Sequence, residues 1–247
     1  MPKANFEAAA AGYDRESVLQ QDIAAELCRW LKPPVQAGSA LDVGCGTGAL
    51  CEALLGPCPT LSFDLLDDSP AMLALAQARL RRMRPEMQSR LFSKLEELPS
   101  GKRYSLIVSS MALQWFDDLP GSLTLLQKRL EPGGALAFAL PLEGSLEPFI
   151  SAFEEAGLPY PGLRYPRPDA LLALLPAGSR CQTREWRQEF PDTLAFIRHL
   201  HRLGAVRRDT TPMPAVELRR VCTAGDRRRR GGVLRIPWSI GCFQSPG

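Results

Sequence analysis

The chain has 247 residues, 45% hydrophobic and 23% charged, with a formal net charge of +3, a composition that supplies a sizeable core and excludes wholesale disorder. No apolar run reaches the roughly 18 residues of a membrane span, no basic-then-apolar leader opens the chain, and none of the seven cysteines forms a Cys-x-x-Cys pair suited to zinc or redox work. A cytoplasmic protein with reduced thiols and no metal is expected.

From Asn5 to Leu31, Phe6, Ala9, Tyr13, Val18, Ile23, Leu27 and Leu31 recur at mostly helical spacing until Pro33-Pro34, which predicts an N-terminal helical segment. Short apolar runs then alternate with helical stretches. The pattern predicts strands Ala40 to Val43 and Leu61 to Leu66, a short one near Leu91-Phe92, then Leu106 to Ser109 and Ala135 to Leu140. Between them lie helices from Ala49, over Pro70 to Arg84 and over Leu119 to Leu130. Five β/α repeats call for a parallel sheet covered on both faces. After Pro141 a helix is expected near Leu146 to Ala156, then a turn-rich stretch to Pro168. A strand around Thr183 to Phe190, a helix Thr193 to Leu203 and a last strand Val233 to Phe243, set off by Gly231-Gly232, would complete about seven strands. The fold class expected is α/β: one domain with a doubly wound, seven-stranded, mostly parallel sheet. Its parts are an N-terminal helical cap (1–34), a cofactor-binding core (35–141), a lid or substrate insertion (142–180) and closing strands with a helix (181–247).

Asp42-Val43-Gly44-Cys45-Gly46-Thr47-Gly48 follows the first strand and opens a helix. Glycines here permit a tight turn and close approach of backbone to ligand. The stretch also scans as the dinucleotide pattern, with Ala49 as third small residue. Asp42 opposes that reading, because an acid two residues before the first glycine repels a pyrophosphate but suits an ammonium group, such as that of S-adenosylmethionine. A second acid is expected at the end of the next strand to hold ribose hydroxyls. Asp67, 19 residues past Gly48, is so placed, with Asp64 as competitor inside the strand. Asp67-Asp68-Ser69-Pro70 also reads as a helix N-terminus, and both roles are compatible.

These residues resemble the class I S-adenosylmethionine-dependent methyltransferases, whose sheet is Rossmann-like, and more narrowly the malonyl-acyl-carrier-protein O-methyltransferases of biotin synthesis. The likeness is carried by Asn5-Phe6, Ala9, Tyr13-Asp14 and Gln20, by the glycine turn, and by Asp67-x-Ser69-Pro70-x-Met72-Leu73. Ala112-Leu113-Gln114-Trp115, Glu131-Pro132-Gly133-Gly134, Gly144-Ser145-Leu146 and Leu203-Gly204-Ala205 extend it along nearly the whole chain. Lys94 departs from the family, which has an aspartate near the adenine amino group; backbone groups of Leu95 or Glu96 would then serve, or the cofactor would bind more weakly. Ser105, Ser110 and His201 depart as well.

The resemblance implies S-adenosylmethionine as cofactor, held by Tyr13, Gln20, Asp42, Gly44, Cys45, Gly46, Gly48, Asp67, Met72, Leu95 and Ser109. It implies a malonyl group on an acyl-carrier protein as acceptor, no nucleic-acid or membrane partner, and a monomer. Tyr13 and Gln114 are expected beside the methyl group, although Tyr13 equally suits a core aromatic. A carboxylate acceptor is ionised at neutral pH and needs no general base; it needs an orienting donor, for which Arg198, with His201 nearby, is first candidate. Residues 1–150 carry 14 Lys or Arg against 18 Asp or Glu, whereas residues 151–247 carry 16 against 9, all of the 16 arginine. Arg227 to Arg230 thus read as a docking patch for an acidic carrier or as a plain surface turn. Rival readings are a methyltransferase for a free acid such as trans-aconitate, a non-catalytic adenosylmethionine-binding protein and, more remotely, an NAD enzyme.

Overall fold

A computed structural model describes residues 5–31, 37–87, 89–206 and 212–246. The N-terminal segment is not one helix. It breaks into α1 (Phe6–Ala9), a 3-10 turn (Ala10–Gly12), α2 (Tyr13–Glu16) and α3 (Val18–Trp30). Gly12 and Ser17 mark the breaks, and Ser17 leaves helical dihedrals (φ −94°, ψ 28°) so that α3 starts in a new direction. Only α3 sends a full apolar stripe, with Leu19, Ile23 and Leu27, into the core.

The alternation that follows is β1 (Ala37–Val43), α4 (Ala49–Leu55), β2 (Thr60–Leu66), α5 (Pro70–Met83), β3 (Leu91–Phe92), β4 (Tyr104–Ser110), α6 (Leu119–Lys128) and β5 (Leu130–Pro141). Then come α7 (Glu147–Glu155), α8 (Pro168–Leu172), β6 (Arg180–Phe190), α9 (Thr193–Arg202), α10 (Ala215–Asp226) and β7 (Leu234–Pro246). The sheet order is β3-β2-β1-β4-β5-β7-β6. Strands β1 to β5 run parallel, and β7 lies antiparallel between β5 and β6. Strand order reverses between β1 and β4, which opens a crevice at the carboxyl ends of those strands, where ligands of open α/β sheets bind.

Two apolar layers cover the sheet. On β5, Ala135, Ala137 and Ala139 face the layer of α3, α4, α5, α7, α9 and α10, while Leu136, Phe138 and Leu140 face the layer of α6 and α8. Small side chains thus admit the crowded helical layer, and large ones fill the sparser side. The closing strands do pair, and between them lie the expected helix, α9, and a second one, α10. Helix α10 is a correction to the sequence reading. Its apolar stripe is only Val221, Ala224 and Gly225, and Gly225 is required because a Cβ there would stand 2.3 Å from Thr193 Oγ1. A helix buried through so few and such small groups leaves a faint periodic signal.

Candidate functional site

The crevice starts at the glycine turn. Gly44, Gly46 and Gly48 all have positive φ (69°, 51° and 85°), where non-glycine residues are strained. They differ in what a side chain would meet. A Cβ on Gly44 would lie 2.2 Å from Ala112 Cβ and one on Gly48 3.1 Å from Ala76, but on Gly46 nothing stands within 4 Å. Gly44 and Gly48 therefore serve packing, whereas Gly46 leaves open space over its backbone. The Gly44 and Cys45 amides donate to the Leu66 carbonyl at 2.7 and 3.0 Å, tying the turn to β2; Cys45 itself is buried.

Asp67, at the end of β2, accepts from the Gly46 amide at 2.9 Å through Oδ2 and from the Ser69 amide at 3.0 Å through Oδ1. Burial pushes its carboxyl up to about 6, against the lowering effect of those two bonds. Ser69 caps α5 by accepting from the Met72 amide at 3.1 Å, and Met72 is buried on the first turn of that helix. Asp64, the competitor, is bound instead by Arg90 at 2.7 and 3.1 Å and by the Tyr104 hydroxyl at 2.9 Å. It links β2 to Arg90, just before β3, and to Tyr104 on β4.

Asp42 is 1% exposed. Its Oδ2 accepts from the Cys51 thiol at 3.1 Å, and its Oδ1 is buried with no partner among the described residues. Burial pushes this carboxyl up to about 7. A buried carboxylate with an unsatisfied oxygen is costly, so the group calls for a cationic or hydrogen-bond-donating ligand. That requirement fits an ammonium. Cys51 gave no signal in the sequence, because its role depends on α4 bringing it back to β1.

The N-terminal segment is fastened to this turn by carboxylates. Thr47 Oγ1 donates to Asp14 Oδ1 at 2.6 Å and Arg79 also binds Asp14, while Glu7 accepts from the Ser69 hydroxyl and from the Ala71 amide. Glu7 and Arg79 escaped the sequence reading because their partners lie more than 60 residues away. Glu16 similarly holds His199 at 3.1 Å and Arg202 at 2.8 Å on α9.

Beneath this segment lies a cavity of about 900 Å³ lined in part by Tyr13, Gln20, Gln114 and His201. Gln114 Nε2 donates to the Met111 carbonyl at 2.7 Å, which fixes its orientation and leaves Oε1 buried without a partner among the described residues; Gln20 Oε1 is in the same state. Met111 adopts a left-handed conformation (φ 55°), the kind of strain that accumulates at functional turns. Burial and the neighbouring Asp67 and Asp14 raise the Tyr13 hydroxyl above its ordinary range, so it remains a neutral donor.

The other sequence-derived candidates are more dispersed. Arg198 is exposed, whereas the cavity receives Ile197, Leu200 and His201 from α9. Three positions apart on α9, Arg198 and His201 project about 60° from one another, yet only His201, itself largely exposed, is among the residues lining the cavity. Ser109 Oγ donates to the Val43 carbonyl at 2.7 Å, joining β4 to β1. Leu95 is buried in a 3-10 turn preceded by an exposed Lys94. In the arginine run, Arg227 and Arg228 pair with Glu155, and Arg229 and Arg230 bind nearby carbonyls while remaining exposed.

Comparison with known proteins fits this geometry. Residues 15–205 match a methyltransferase domain family. The chain is 32% identical to the biotin biosynthesis bifunctional protein BioCD of Bordetella avium, an alignment covering 98% of this chain and 51% of that protein; the chain thus spans about half the length of this relative. It is also 32% identical to the malonyl-[acyl-carrier protein] O-methyltransferase of Magnetococcus marinus, over 79% of this chain and 74% of the relative. Among solved structures, the YcgJ protein of Bacillus subtilis superposes with a TM-score of 0.63 at 14% identity, over 91% of this chain and 97% of that one. At that identity the likeness is one of fold.

Proposed function

The chain belongs to the methyltransferase domain family, and from that premise we propose that it methylates the free carboxyl of a malonyl group carried on an acyl-carrier protein. The cofactor is S-adenosylmethionine, which supplies a methyl group already activated on a positively charged sulfur. The residues present fit such a molecule: the unsatisfied Asp42 Oδ1 suits its ammonium, the open space over Gly46 admits it beside the backbone, and Asp67, at the end of β2, is the acid proposed to hold its ribose.

The likeness to malonyl-acyl-carrier-protein methyltransferases is the observation that carries the choice of acceptor. The cavity supports it chemically. Among its described lining residues the imidazole and carboxylate side chains are His201 and Glu217, and a carboxylate acceptor requires neither as a base. What the chain must do is align and exclude water, effects that lower barriers by about 7 to 11 kcal/mol in favourable cases. Tyr13 and Gln114 hold the reacting end, His201 orients the acceptor carboxylate, and Arg198 lies outside, suited to the carrier's acidic surface. Residues of the 142–180 insertion, among them Leu158, Tyr160 and Tyr165, wall the acceptor side.

Incubating the protein with adenosylmethionine and a malonyl carrier should add one methyl group to the carrier by mass spectrometry. With both ligands saturating, the single-turnover rate should not fall between about pH 8 and pH 6, because no proton is removed from the acceptor. A steep loss towards pH 6, or no methyl ester at any pH, would refute the carboxyl assignment.

A further inference from the structure

We propose, on the carrier reading above, that the acidic carrier protein docks in the groove between the end of α7 and the outer face of α10, with Arg219 and Arg220 at the centre of the contact. Val216, Arg219, Arg220, Thr223 and Arg227 line this groove from α10, and Glu155 lines it from α7. The five residues of α10 and its C-cap follow one another at i, i+3, i+4, i+7 and i+11, so they form a single stripe. All five are exposed, and the stripe is distinct from the buried one of Val221, Ala224 and Gly225.

The arginines of this stripe are engaged to different degrees. Arg227 and then Arg228 hold the Glu155 carboxyl below the usual carboxylate range, so one acid answers two cations at the far end of the helix. Arg220 donates to the Ala156 carbonyl, which positions the guanidinium without neutralising it. Arg219 has no hydrogen bond or ion pair among the described residues. Two uncompensated charges therefore stand side by side, with Val216, 59% exposed, on the same stripe. Arginine beside apolar surface is the make-up of a protein-docking contact. No aromatic residue lines the groove, so it lacks the platforms on which nucleic-acid bases stack. The two helices that form the groove also wall the acceptor cavity, through Phe149 and Phe153 on α7 and Glu217 and Leu218 on α10. A carrier seated on Arg219 and Arg220 thus stands next to that cavity, and the arm bearing its malonyl group has only the first turn of α10 to pass. Arg229 and Arg230, beyond the end of α10, extend the same positive surface away from the cavity.

The test compares the malonyl carrier with the malonyl thioester of N-acetylcysteamine. Arg219→Glu should raise the carrier's KM, and its Kd measured by calorimetry with the demethylated cofactor bound, at least about threefold at low salt, because the reversal replaces an attraction by a repulsion. The difference from wild type should shrink as salt is added. Arg219→Lys, which keeps the charge, should stay close to wild type, and kcat/KM for the small thioester should be the same in all three proteins. In the wild type, the bound carrier should slow amide exchange over residues 216–227, a measurement that needs no variant to fold. An unchanged carrier Kd in Arg219→Glu, an equal loss with the small thioester, or exchange slowed elsewhere but not over 216–227 overturns the groove and leaves the carrier reading standing as long as the wild type methylates the carrier. An oligonucleotide that binds more tightly than the carrier and is released by Arg219→Glu overturns it in favour of nucleic acid. A carrier that binds at the groove but is never methylated overturns the esterification reading instead.

Discussion

Replacing Gly44 by alanine separates two costs that the structure makes distinct. The new Cβ would stand 2.2 Å from Ala112 Cβ, where carbon atoms normally rest about 3.5 to 4.0 Å apart; the two backbones would have to part by more than an ångström. Neither is free to move. The Gly44 amide is bonded to Leu66 at 2.7 Å and the Met111 amide to Ala139 at 2.8 Å. Overpacking of this kind costs about 1 to 3 kcal/mol, and the left-handed backbone (φ 69°) adds about 1 to 2 kcal/mol for a residue with a Cβ. The total of about 2 to 5 kcal/mol corresponds to a fall in Tm on the order of 10 °C for a chain of this size. Calorimetric melting checks it, with an internal control: adding Ala112→Gly removes the collision but not the backbone strain, so the double variant should recover roughly half the loss. A single variant within about 1 kcal/mol of wild type, or a double variant with no recovery, would refute the packing argument.

Gly46→Ala should behave in the opposite sense, costing about 1 to 2 kcal/mol of stability but at least about tenfold in affinity for the demethylated cofactor by calorimetry, because its Cβ enters open space that the ligand is proposed to use. Asp67→Ala should weaken that binding by about tenfold or more, since a charge-assisted hydrogen bond contributes about 1.5 to 3 kcal/mol; unchanged affinity would remove Asp67 from the site. Adenosylmethionine affinity should decline as pH falls below about 7, because protons then neutralise Asp42 in the free protein and ammonium binding must expel them. The decline is at most tenfold per unit down to about pH 6 and steeper below it, and in Asp42→Asn it should begin only near pH 6, where Asp67 titrates; identical profiles for both proteins would contradict the assignment. Arg229→Ser with Arg230→Ser should raise KM for a carrier-bound substrate at low salt and leave small thioesters unaffected, whereas an equal effect on both would exclude carrier docking.

Much of the site was legible because its determinants are local. The glycine turn, Asp67 with its Ser69-Pro70 helix start, and the five β/α repeats are each encoded within a few residues, where turn chemistry and periodicity act directly. The unpartnered Asp42 Oδ1 was not legible, nor was the Cys51 contact, since both arise from where α4 lies on β1. Arg198 shows the converse limit. Helical spacing puts it on nearly the same face as His201, but only the packing of α9 in the molecule decides that His201 and not Arg198 lines the cavity.

The sequence by itself determined the doubly wound class, the position of the glycine turn and the family, because backbone conformation and strand or helix period depend on side chains close in the chain. Only the tertiary structure decided the insertion of β7 between β5 and β6, the existence of α10, the fastening of Glu7, Asp14 and Glu16 across the molecule, and the size of the aromatic cavity. Each of these depends on contacts between segments distant in sequence, whose balance of burial and charge exists only once the sheet has brought them together.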